Sequence, residues 1–398
     1  MGPVAPTEAG AGAAAARWRS AAAAIAAISV VGIAIGLGMP LLSIILEQRG
    51  YSASLIGLNS AVAGIVSIAA APFAVPLAAR LGVARTMLAM IAAGGVSFLG
   101  FYFVQSFVLW FALRAVLHMA LTVLFILSEF WIISAAPPQR RGLLLGVYTT
   151  CLSLGFALGP LLLARIGSAG FAPFGTAFAL VALAAVPVLG ARRESPALTT
   201  SGEVRGASFL RYVFLVPAAT AAVLVYGAVE TGGFALFPVY GTRIGYSEAD
   251  TALLLTMIGL GNVLFQIPIG MASDRVADRR RLLLACAAVG IAGMVLLPVV
   301  QASWWAAAVL LFVWGGVVAG LYTVGFAHLG TRLTGADLAM ANAAFVFCYG
   351  IGMLAGPQAI GLGMDAFGPD GFAWTLALFF GLYIALVVWR LARGARRA

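Results

Sequence analysis

Four ionisable side chains lie inside long apolar runs of this sequence. Arg114, His118 and Glu129 lie in RAVLHMALTVLFILSEFW, residues 114–131, and Glu230 lies in VYGAVETGGFALFP. Side chains of these types bind charged solutes or exchange protons, and inside a membrane each one marks a functional site by default. The two stretches are therefore the first places to seek a site for a charged solute or a proton.

The three ionisable residues of the first stretch share one helix face. A helix advances about 100° per residue, so Arg114, His118 and Glu129 project within roughly 60° of one another. Arg114 and Glu129 are about 22 Å apart along the axis, which is too far for direct pairing. Because a charge facing lipid costs about 2.5–3.5 kcal/mol, we expect this face to point into a helix bundle or a water-filled cavity.

Each of these residues also has a structural interpretation. For Arg114, contact with a solute or coupling ion stands against hydrogen bonds to backbone carbonyls of neighbouring helices. For Glu129, the alternative to a site role is an interhelical contact near Arg140 or Arg141. For His118, a neutral imidazole that donates one hydrogen bond stands against a proton relay. The residue types alone leave these alternatives open.

Glu230 is the main candidate for a protonatable or solute-binding group. The residues around it are typical of interrupted helices that line transporter sites, and they comprise Gly227, Gly232, Gly233 and Pro238. The alternative is an acid kept neutral by burial. Polar residues on other apolar runs are expected in part to hold helices together, and the further site candidates among them are Asn262, Gln266 and Tyr349.

The composition is that of a membrane protein. Of the 398 residues, 63% are hydrophobic and 9% are charged, whereas a soluble domain carries about 25% charged residues. Apolar runs recur along the chain, each near the roughly 20 residues that a helix needs to cross a bilayer. Turn residues and charge clusters divide the chain into twelve predicted spans at 21–46, 53–79, 84–104, 107–134, 143–165, 171–190, 212–237, 248–272, 282–300, 303–327, 339–363 and 370–391.

The arginines predict the orientation of these spans. In a soluble protein the net charge of +10 would favour a nucleic-acid partner. Here most arginines fall in the termini and in every second loop, while the alternate loops keep only Arg49, Arg165 and Arg243. This asymmetry predicts that both termini lie in the cytoplasm. The expected partners are the lipid bilayer and a small solute, with no nucleic acid, and the chain is expected to be a monomer.

The chain is predicted to consist of two related halves. The polar segment 191–211 is interpreted as a cytoplasmic linker between six-helix bundles at 21–190 and 212–391, with cytoplasmic tails at 1–20 and 392–398, the first of them disordered. The bundles repeat each other at an offset of about 195 residues. RGYSASLIG matches IGYSEADTA, LAARLGVAR matches MASDRVADR, and GFALGP matches GMLAGP. The fold class is therefore an all-α integral membrane protein of two duplicated halves.

Together these features resemble the major facilitator superfamily over residues 21–391. The family's cytoplasmic loop signature, G-x-L-A-D-R-x-G-R-K, is similar to GMASDRVADRRR, although Ala79 replaces the family's acid in the first-half copy. SEFWIISAAPPQRRGLLLGVY and GNVLFQIPIGMASDR resemble the YcaD-type branch of bacterial permeases. The residues that match the signature, to which the resemblance assigns a gating role, are Gly270, Asp274, Arg275 and Arg279.

The resemblance implies a transporter in the cytoplasmic membrane of a bacterium. Twelve helices in two pseudo-symmetric halves would give access to a central site from each side in turn. No P-loop is present, so a gradient would supply the energy, and we expect proton coupling through Glu230 or Glu129. Arg114 resembles the arginine of the family's cavity-lining motif R-x-x-Q-G, with Leu117 and His118 in place of Gln and Gly.

The direction of transport has one weak indicator. GFALGP is similar to the family's antiporter signature, which favours export, although the residues after it, 162–164, replace that signature's glycines.

An enzyme and a cofactor site are not indicated. HExxH and GxSxG are absent, GIGMLAG fails the dinucleotide-binding spacing, and Cys151, Cys286 and Cys348 stand at unrelated spacings. We therefore predict no metal and no cofactor. The alternative to a transporter is a transport-silent receptor or assembly factor that keeps a permease fold.

Overall fold

A computed structural model of the chain describes residues 8–135, 141–196, 210–330 and 335–395. Within these ranges the chain is helical apart from short turns. The helices are α1 (Glu8–Gln48), α2 (Ala53–Leu81), α3 (Val83–Phe103), α4 (Phe107–Ala135), α5 (Arg141–Ile166), α6 (Ala172–Leu183), α7 (Ala185–Gly190), α8 (Leu210–Leu215), α9 (Pro217–Arg243), α10 (Glu248–Arg275), α11 (Arg279–Val300), α12 (Trp304–Val318), α13 (Gly320–Gly330), α14 (Gly335–Phe367) and α15 (Gly371–Ala395).

Among the described residues, twelve helical segments are long and apolar enough to cross a membrane. Two of them are broken helices, since α6 with α7 and α12 with α13 each form one span. The twelve spans predicted from the sequence are confirmed. Their bounds are Ser20–Gln48, Ala53–Ala70, Val83–Phe103, Phe107–Ala135, Gly146–Ile166, Ala172–Gly190, Pro217–Arg243, Glu248–Arg275, Arg279–Val300, Trp304–Leu329, Met340–Phe367 and Gly371–Arg393.

The N-terminal segment differs from the expectation. We predicted a disordered tail over 1–20, but α1 begins at Glu8, and residues 1–7 lie outside the described part of the chain. The reason is its alanine content, because AGAGAAAAR consists largely of the residue with the highest helix propensity. At the predicted linker, residues 197–209 lie outside the described ranges, and α8 begins at Leu210.

The internal repeat is visible at the turn after the first membrane span of each half. Gly50 has φ 80° and Gly245 has φ 96°, a conformation that glycine adopts at little cost. In each case Tyr-Ser follows, and the serine hydroxyl accepts a hydrogen bond from a backbone N–H of the next helix's first turn: Ser52 from Leu55 at 3.3 Å and Ser247 from Asp250 at 3.1 Å. RGYS and IGYS therefore build the same turn and helix cap.

The motif GFALGP packs α5 directly against α1. A Cβ on Gly155 would lie 2.7 Å from the carbonyl oxygen of Ser29, and one on Gly159 would collide with the backbone at Gly36. Small residues four apart allow such close contact between the backbones of membrane helices. The glycines of this motif therefore have a packing role.

The matching motif GMLAGP packs α14 against α9 in the same way. A Cβ on Gly352 would collide with the Leu224 carbonyl oxygen and lie 2.8 Å from the nitrogen of Ala228, and one on Gly356 would also collide with Ala228. The two halves thus repeat the same helix contact as well as the same motif, because corresponding glycines join corresponding helix pairs.

The described chain forms two compact units whose limits cross the predicted bundles. The first unit comprises 1–35, 69–155 and 174–202, and the second comprises 36–68, 156–173 and 203–398. Residues 36–68 and 156–173 come from the first half of the sequence but cluster with the second half. They form the ends of α1, α2 and α5 that lie away from the arginine-rich loops.

Candidate functional site

Two tyrosine hydroxyls hold the carboxylate of Glu230 on α9. The Tyr226 hydroxyl donates to Oε1 at 3.0 Å, and the Tyr349 hydroxyl, from α14, donates to Oε2. Tyr226 precedes Glu230 by four residues, which puts both side chains on one face of α9. With a donor on each oxygen, the carboxylate is fixed in one orientation.

Aromatic rings from three helices lie together beside this carboxylate. The ring centroid of Tyr226 lies 5.6 Å from that of Tyr322 on α13 and 6.4 Å from that of Tyr349, while Tyr322 and Tyr349 are 6.1 Å apart. The side chain of Asn262, from α10, lies beside the hydroxyl of Tyr226. We call Tyr226, Glu230, Asn262, Tyr322 and Tyr349 the tyrosine–carboxylate cluster; all five belong to the second unit.

The tyrosine–carboxylate cluster is partly accessible, and its acid has no ion-pair partner among the described residues. Tyr322 exposes 40% of its surface, and the other four side chains are half-buried. Glu230 forms no ion pair with any residue in the described ranges. A carboxylate offers about four acceptor positions, of which the two tyrosines use two. The remaining positions are available to a proton, a cation or another donor.

Sequence reasoning found part of this cluster. It selected Glu230, Asn262 and Tyr349, which the structure brings together from three helices. It did not select Tyr226, although a tyrosine four residues before a membrane carboxylate was the available signal. Gln266, one turn beyond Asn262, is half-buried and forms no hydrogen bond with another described residue.

We expected the glycines near Glu230 to interrupt α9, but they do not. The helix runs unbroken from Pro217 to Arg243. Gly227 instead provides room for α14, since a Cβ there would lie 2.5 Å from the carbonyl oxygen of Tyr349. Gly227 is therefore explained by close packing of α9 on α14 and not by an opened backbone. This packing positions Tyr349 beside Glu230.

Arg114 and His118 lie buried on α4 in the first unit. Arg114 exposes 1% of its surface and His118 exposes 6%. The Nε and Nη2 atoms of Arg114 are buried and have no hydrogen-bond partner among the described residues. An unsatisfied buried donor costs about 1–3 kcal/mol, and more when it is charged. The guanidinium is thus able to receive an acceptor that the described side chains and backbone do not supply.

Glu129 has different surroundings although it shares the face of His118. Its side chain is exposed, whereas the preceding Ser128 is buried and hydrogen-bonds to Tyr148 at 2.7 Å. The predicted contact with Arg140 or Arg141 lies outside the described side chains. Glu129 therefore stands apart from the buried Arg114 and His118 in the first unit.

A charged network that sequence reasoning missed lies at the opposite end of the helices from the arginine-rich loops. Arg243, at the end of α9, makes a bidentate ion pair with Glu47 of α1, with Nε to Oε1 at 2.7 Å and Nη2 to Oε2 at 3.1 Å. Its Nη1 lies 3.9 Å from Asp365 of α14. The two oxygens of Asp365 in turn accept from the backbone nitrogens of Ala53 and Ser54, each at 3.0 Å, at the start of α2.

A second set of bonds accompanies this ion pair. Gln48 donates to Ser168 at 3.0 Å and to Glu248 at 2.6 Å, and Ser168 donates to Glu248 at 2.6 Å. All of these residues belong to the second unit. They join first-half segments to second-half helices. Because the arginine distribution predicts that this end is external, we call them the outer-end network: Glu47, Gln48, Ala53, Ser54, Ser168, Arg243, Glu248 and Asp365.

Comparison with known proteins decides the family. A family model described as Major Facilitator Superfamily matches residues 24–252 and 221–398. The chain belongs to the major facilitator superfamily. It is thus a multi-pass membrane transporter and not an enzyme.

Relatives and solved structures of this superfamily agree with the assignment. "Uncharacterized MFS-type transporter YfkF" of Bacillus subtilis (strain 168) is 28% identical over 363 residues, covering 88% of this chain and 90% of that protein. "Uncharacterized MFS-type transporter YcaD" of Escherichia coli O7:K1 (strain IAI39 / ExPEC) is 24% identical over 316 residues, covering 78% and 79%. The crystal structure of a bacterial homologue of the human lysosomal transporter Spinster has a TM-score of 0.74 at 13% identity, covering 94% and 95%. The major facilitator fold and the YcaD-like resemblance are confirmed.

The superfamily's loop signature connects α10 to α11 in this chain. Arg279 donates from Nη2 to Asp274 at 3.2 Å and from Nε to Ser273 at 2.9 Å. Asp274 exposes 79% of its side chain, Arg275 is exposed and Gly270 is half-buried. The acid and one arginine of the signature therefore stabilise the turn between α10 and α11.

The packing of α14 on α9 gives a stability prediction. Gly352→Ala should destabilise this superfamily member by about 1–3 kcal/mol, because its Cβ collides with the Leu224 carbonyl and the two helices must separate. Thermal unfolding of the purified protein measures the effect. Gly381→Ala is the matched control, since its Cβ meets no atom within 4 Å. Equal unfolding midpoints for the two variants would contradict the proposed contact.

Proposed function

We propose that the chain is a secondary transporter that couples the movement of a small organic solute to protons, with Glu230 as the titrating group. The observation that carries this proposal is the tyrosine–carboxylate cluster. It places an acid without an ion-pair partner among the described residues on a membrane-spanning helix, orients it by two hydroxyls and leaves it half-buried. An intramembrane acid in such a position is typical of proton relays in pumps and transporters.

Few groups that contact Glu230 can exchange a proton near neutral pH. The tyrosines Tyr226 and Tyr349 contact it directly, and Tyr322 and Asn262 contact Tyr226. Tyrosines keep their protons at neutral pH, because their ordinary pKa is near 10. A proton gained or lost in this cluster is therefore carried by the carboxyl group of Glu230.

The outer-end network is proposed as a gate. The positive-inside rule supports termini and arginine-rich loops on the cytoplasmic side of a bacterial inner membrane, and the network would then lie at the external end. Its bonds join segments of the two sequence halves, which alternating access requires to close and open in turn. Glycines bring α2 and α14 close at this end: a Cβ on Gly57 would lie 2.8 Å from the carbonyl carbon of Pro357. We therefore infer that the external end is closed in this conformation.

The direction of transport is not decided by the antiporter-like motif. Gly155 and Gly159 pack α5 on α1, and Gly352 and Gly356 pack α14 on α9. Importers and exporters need such packing equally. The resemblance favours export. A flux measurement in membranes of known orientation is therefore needed to test this direction.

Thermal unfolding against a broad panel of metabolites and drugs tests the function. Solutes that bind the folded protein raise its unfolding midpoint according to their occupancy. We expect one chemical class to raise the midpoint, with a size that depends on whether the buffer is acidic or alkaline. A panel without any stabilising solute at either pH would count against a transporter of small organic molecules.

The loop between α10 and α11 is predicted to matter for transport. Asp274→Asn should slow solute flux by up to about fivefold, because it removes a mostly exposed ion pair with Arg279 worth about 0.2–1 kcal/mol. Ala79→Asp should change the rate less, since the exposed Ala79 leaves the existing pair intact. Initial rates in proteoliposomes compare the two variants. Parental rates for Asp274→Asn would remove the proposed role of this loop.

A further inference from the structure

The chemistry of the tyrosine–carboxylate cluster indicates what the solute is. We propose that the cluster binds a monovalent organic cation, such as a quaternary or protonated amine, between the Glu230 carboxylate and the tyrosine rings. This inference rests on the proposed transporter function and names the solute class of the same site. It follows from three properties of the cluster: its charge, its rings and its accessibility.

The charge of the cluster favours a cation. Within the described ranges Glu230 meets no arginine, and its two hydrogen-bond donors are neutral hydroxyls. An ionised carboxylate in a membrane span is unfavourable unless it is paired. A cationic solute supplies the missing charge, whereas a neutral solute does not neutralise it and an anionic solute is repelled.

The rings of the cluster suit a cation that carries apolar groups. An organic cation is attracted to aromatic faces within about 6 Å of a ring centroid. Tyr226, Tyr322 and Tyr349 are separated by 5.6–6.4 Å, and two of them are one hydrogen bond from the carboxylate. A cation that reaches Glu230 is therefore close to more than one ring. An inorganic cation is also attracted to ring faces, but it must give up more hydration to reach them and has no apolar groups to pack against the rings.

The accessibility of the cluster permits such binding without unfolding. Tyr322 exposes 40% of its surface, and Glu230 is half-buried. Polar groups that face lipid are costly, so the accessible side of this cluster is expected to face the solute pathway. The same carboxylate carries the exchangeable proton, and protonation removes the charge that attracts the cation. Cation binding should therefore weaken as the pH falls.

The test compares charged and neutral probes, including one pair of equal shape, on the purified full-length protein. Choline, tetraethylammonium and benzyltrimethylammonium are the cations, dimethylbutanol is the neutral carbon analogue of choline, and benzoate is the anion. Midpoints of thermal unfolding are measured over a concentration series in acidic and alkaline buffer. We expect at least one cation to stabilise the protein, more strongly in alkaline buffer, and no stabilisation by dimethylbutanol or benzoate.

Variants separate the carboxylate from the rings. Glu230→Gln should weaken cation binding about tenfold or more, as expected for the loss of a charge-assisted contact. Tyr349→Leu should weaken it about two- to tenfold through loss of a ring face, whereas Tyr349→Phe keeps the ring and should weaken it less. The phenylalanine variant also keeps the packing, so the comparison remains informative if the leucine variant folds poorly.

Different failures overturn different parts of the account. Stabilisation by dimethylbutanol equal to that by choline, or cation binding unchanged in Glu230→Gln, would overturn the cation assignment. If none of the cations binds but a neutral or anionic solute of the wider panel does, the solute class is wrong while the transporter proposal stands. If no solute of any class binds at either pH, the proposed function fails together with this inference.

Discussion

Glu230→Gln should abolish proton-driven accumulation of the solute while leaving the protein folded. Glutamine has nearly the size of the glutamic acid, and its amide oxygen still accepts a hydrogen bond from one of Tyr226 and Tyr349, but it neither takes up nor releases a proton. In this variant the solute should therefore reach equal concentrations on the two sides of the membrane and should not accumulate. The measurement is solute accumulation in proteoliposomes under an imposed pH gradient, with the wild-type protein beside it.

Two further variants make this experiment decisive. Glu194→Gln, in the polar segment after α7, is a matched substitution outside the membrane spans and should leave accumulation unchanged. Glu129→Gln tests the other intramembrane acid, which is exposed and lies outside the tyrosine–carboxylate cluster. Full accumulation by Glu230→Gln together with loss in Glu129→Gln would move the coupling group to α4. Full accumulation by both would remove proton coupling through either acid.

Arg243→Ala should open the external end of the protein. The substitution removes the bidentate pair with Glu47 and leaves Asp365 without its nearest guanidinium. Hydrogen bonds between charged groups are worth about 1.5–3 kcal/mol each, less where water reaches them, so the equilibrium should shift about tenfold or more towards opening. The charge-swapped double variant, Glu47→Arg with Arg243→Glu, should restore part of the closed population.

Chemical labelling of a buried position reports this opening. Ile56 near the start of α2 exposes 0% of its surface. With the native cysteines replaced, Ile56→Cys should react slowly with a membrane-impermeant maleimide added outside, and about tenfold faster when Arg243→Ala is also present. An unchanged labelling rate would show that the outer-end network does not hold this end closed.

The end that we propose to be external and closed also contains groups that would favour its opening. Both polar atoms of the Asn59 amide and the hydroxyl of Ser60 are buried on α2 and lack hydrogen-bond partners among the described residues. Each such group costs about 1–3 kcal/mol when left unsatisfied. Opening would expose them to water, which offsets part of the loss of ion pairs. Because these buried polar groups oppose the ion pairs, we expect the removal of one arginine to change the labelling rate measurably.

The membrane spans were predictable because the bilayer imposes a length and a composition on every crossing helix. The repeated turn at Gly50 and Gly245 was predictable for a related reason, since its conformation depends on local residues. The start of α1 at Glu8 was not, because a hydropathy boundary marks where lipid contact ends and not where a helix ends.

The candidate site was predictable only where a polar residue stood out from an apolar helix. Glu230, Asn262 and Tyr349 were found in this way. Tyr226 and Tyr322 were not, because tyrosine is equally compatible with packing and with membrane interfaces. Gly227 was misinterpreted because a sequence does not show which helix lies opposite a glycine.

The outer-end network was not accessible to sequence reasoning at all. Arg243 and Glu47 are 196 residues apart, and Asp365 is 312 residues from Ala53. Each lies at or near a helix end, where a charged side chain is usually solvated and needs no partner. Only the packing of the second unit brings them together.

The most direct test of the account is solute-evoked proton movement by the purified protein. Liposomes containing a pH-sensitive dye and the wild-type protein are given the solute class first identified by thermal unfolding, alongside Glu230→Gln liposomes and protein-free liposomes. Proton coupling through Glu230 predicts an immediate proton flux in the wild-type liposomes and none in the other two. Equal flux with Glu230→Gln, or solute binding without any proton flux in the wild type, would contradict it.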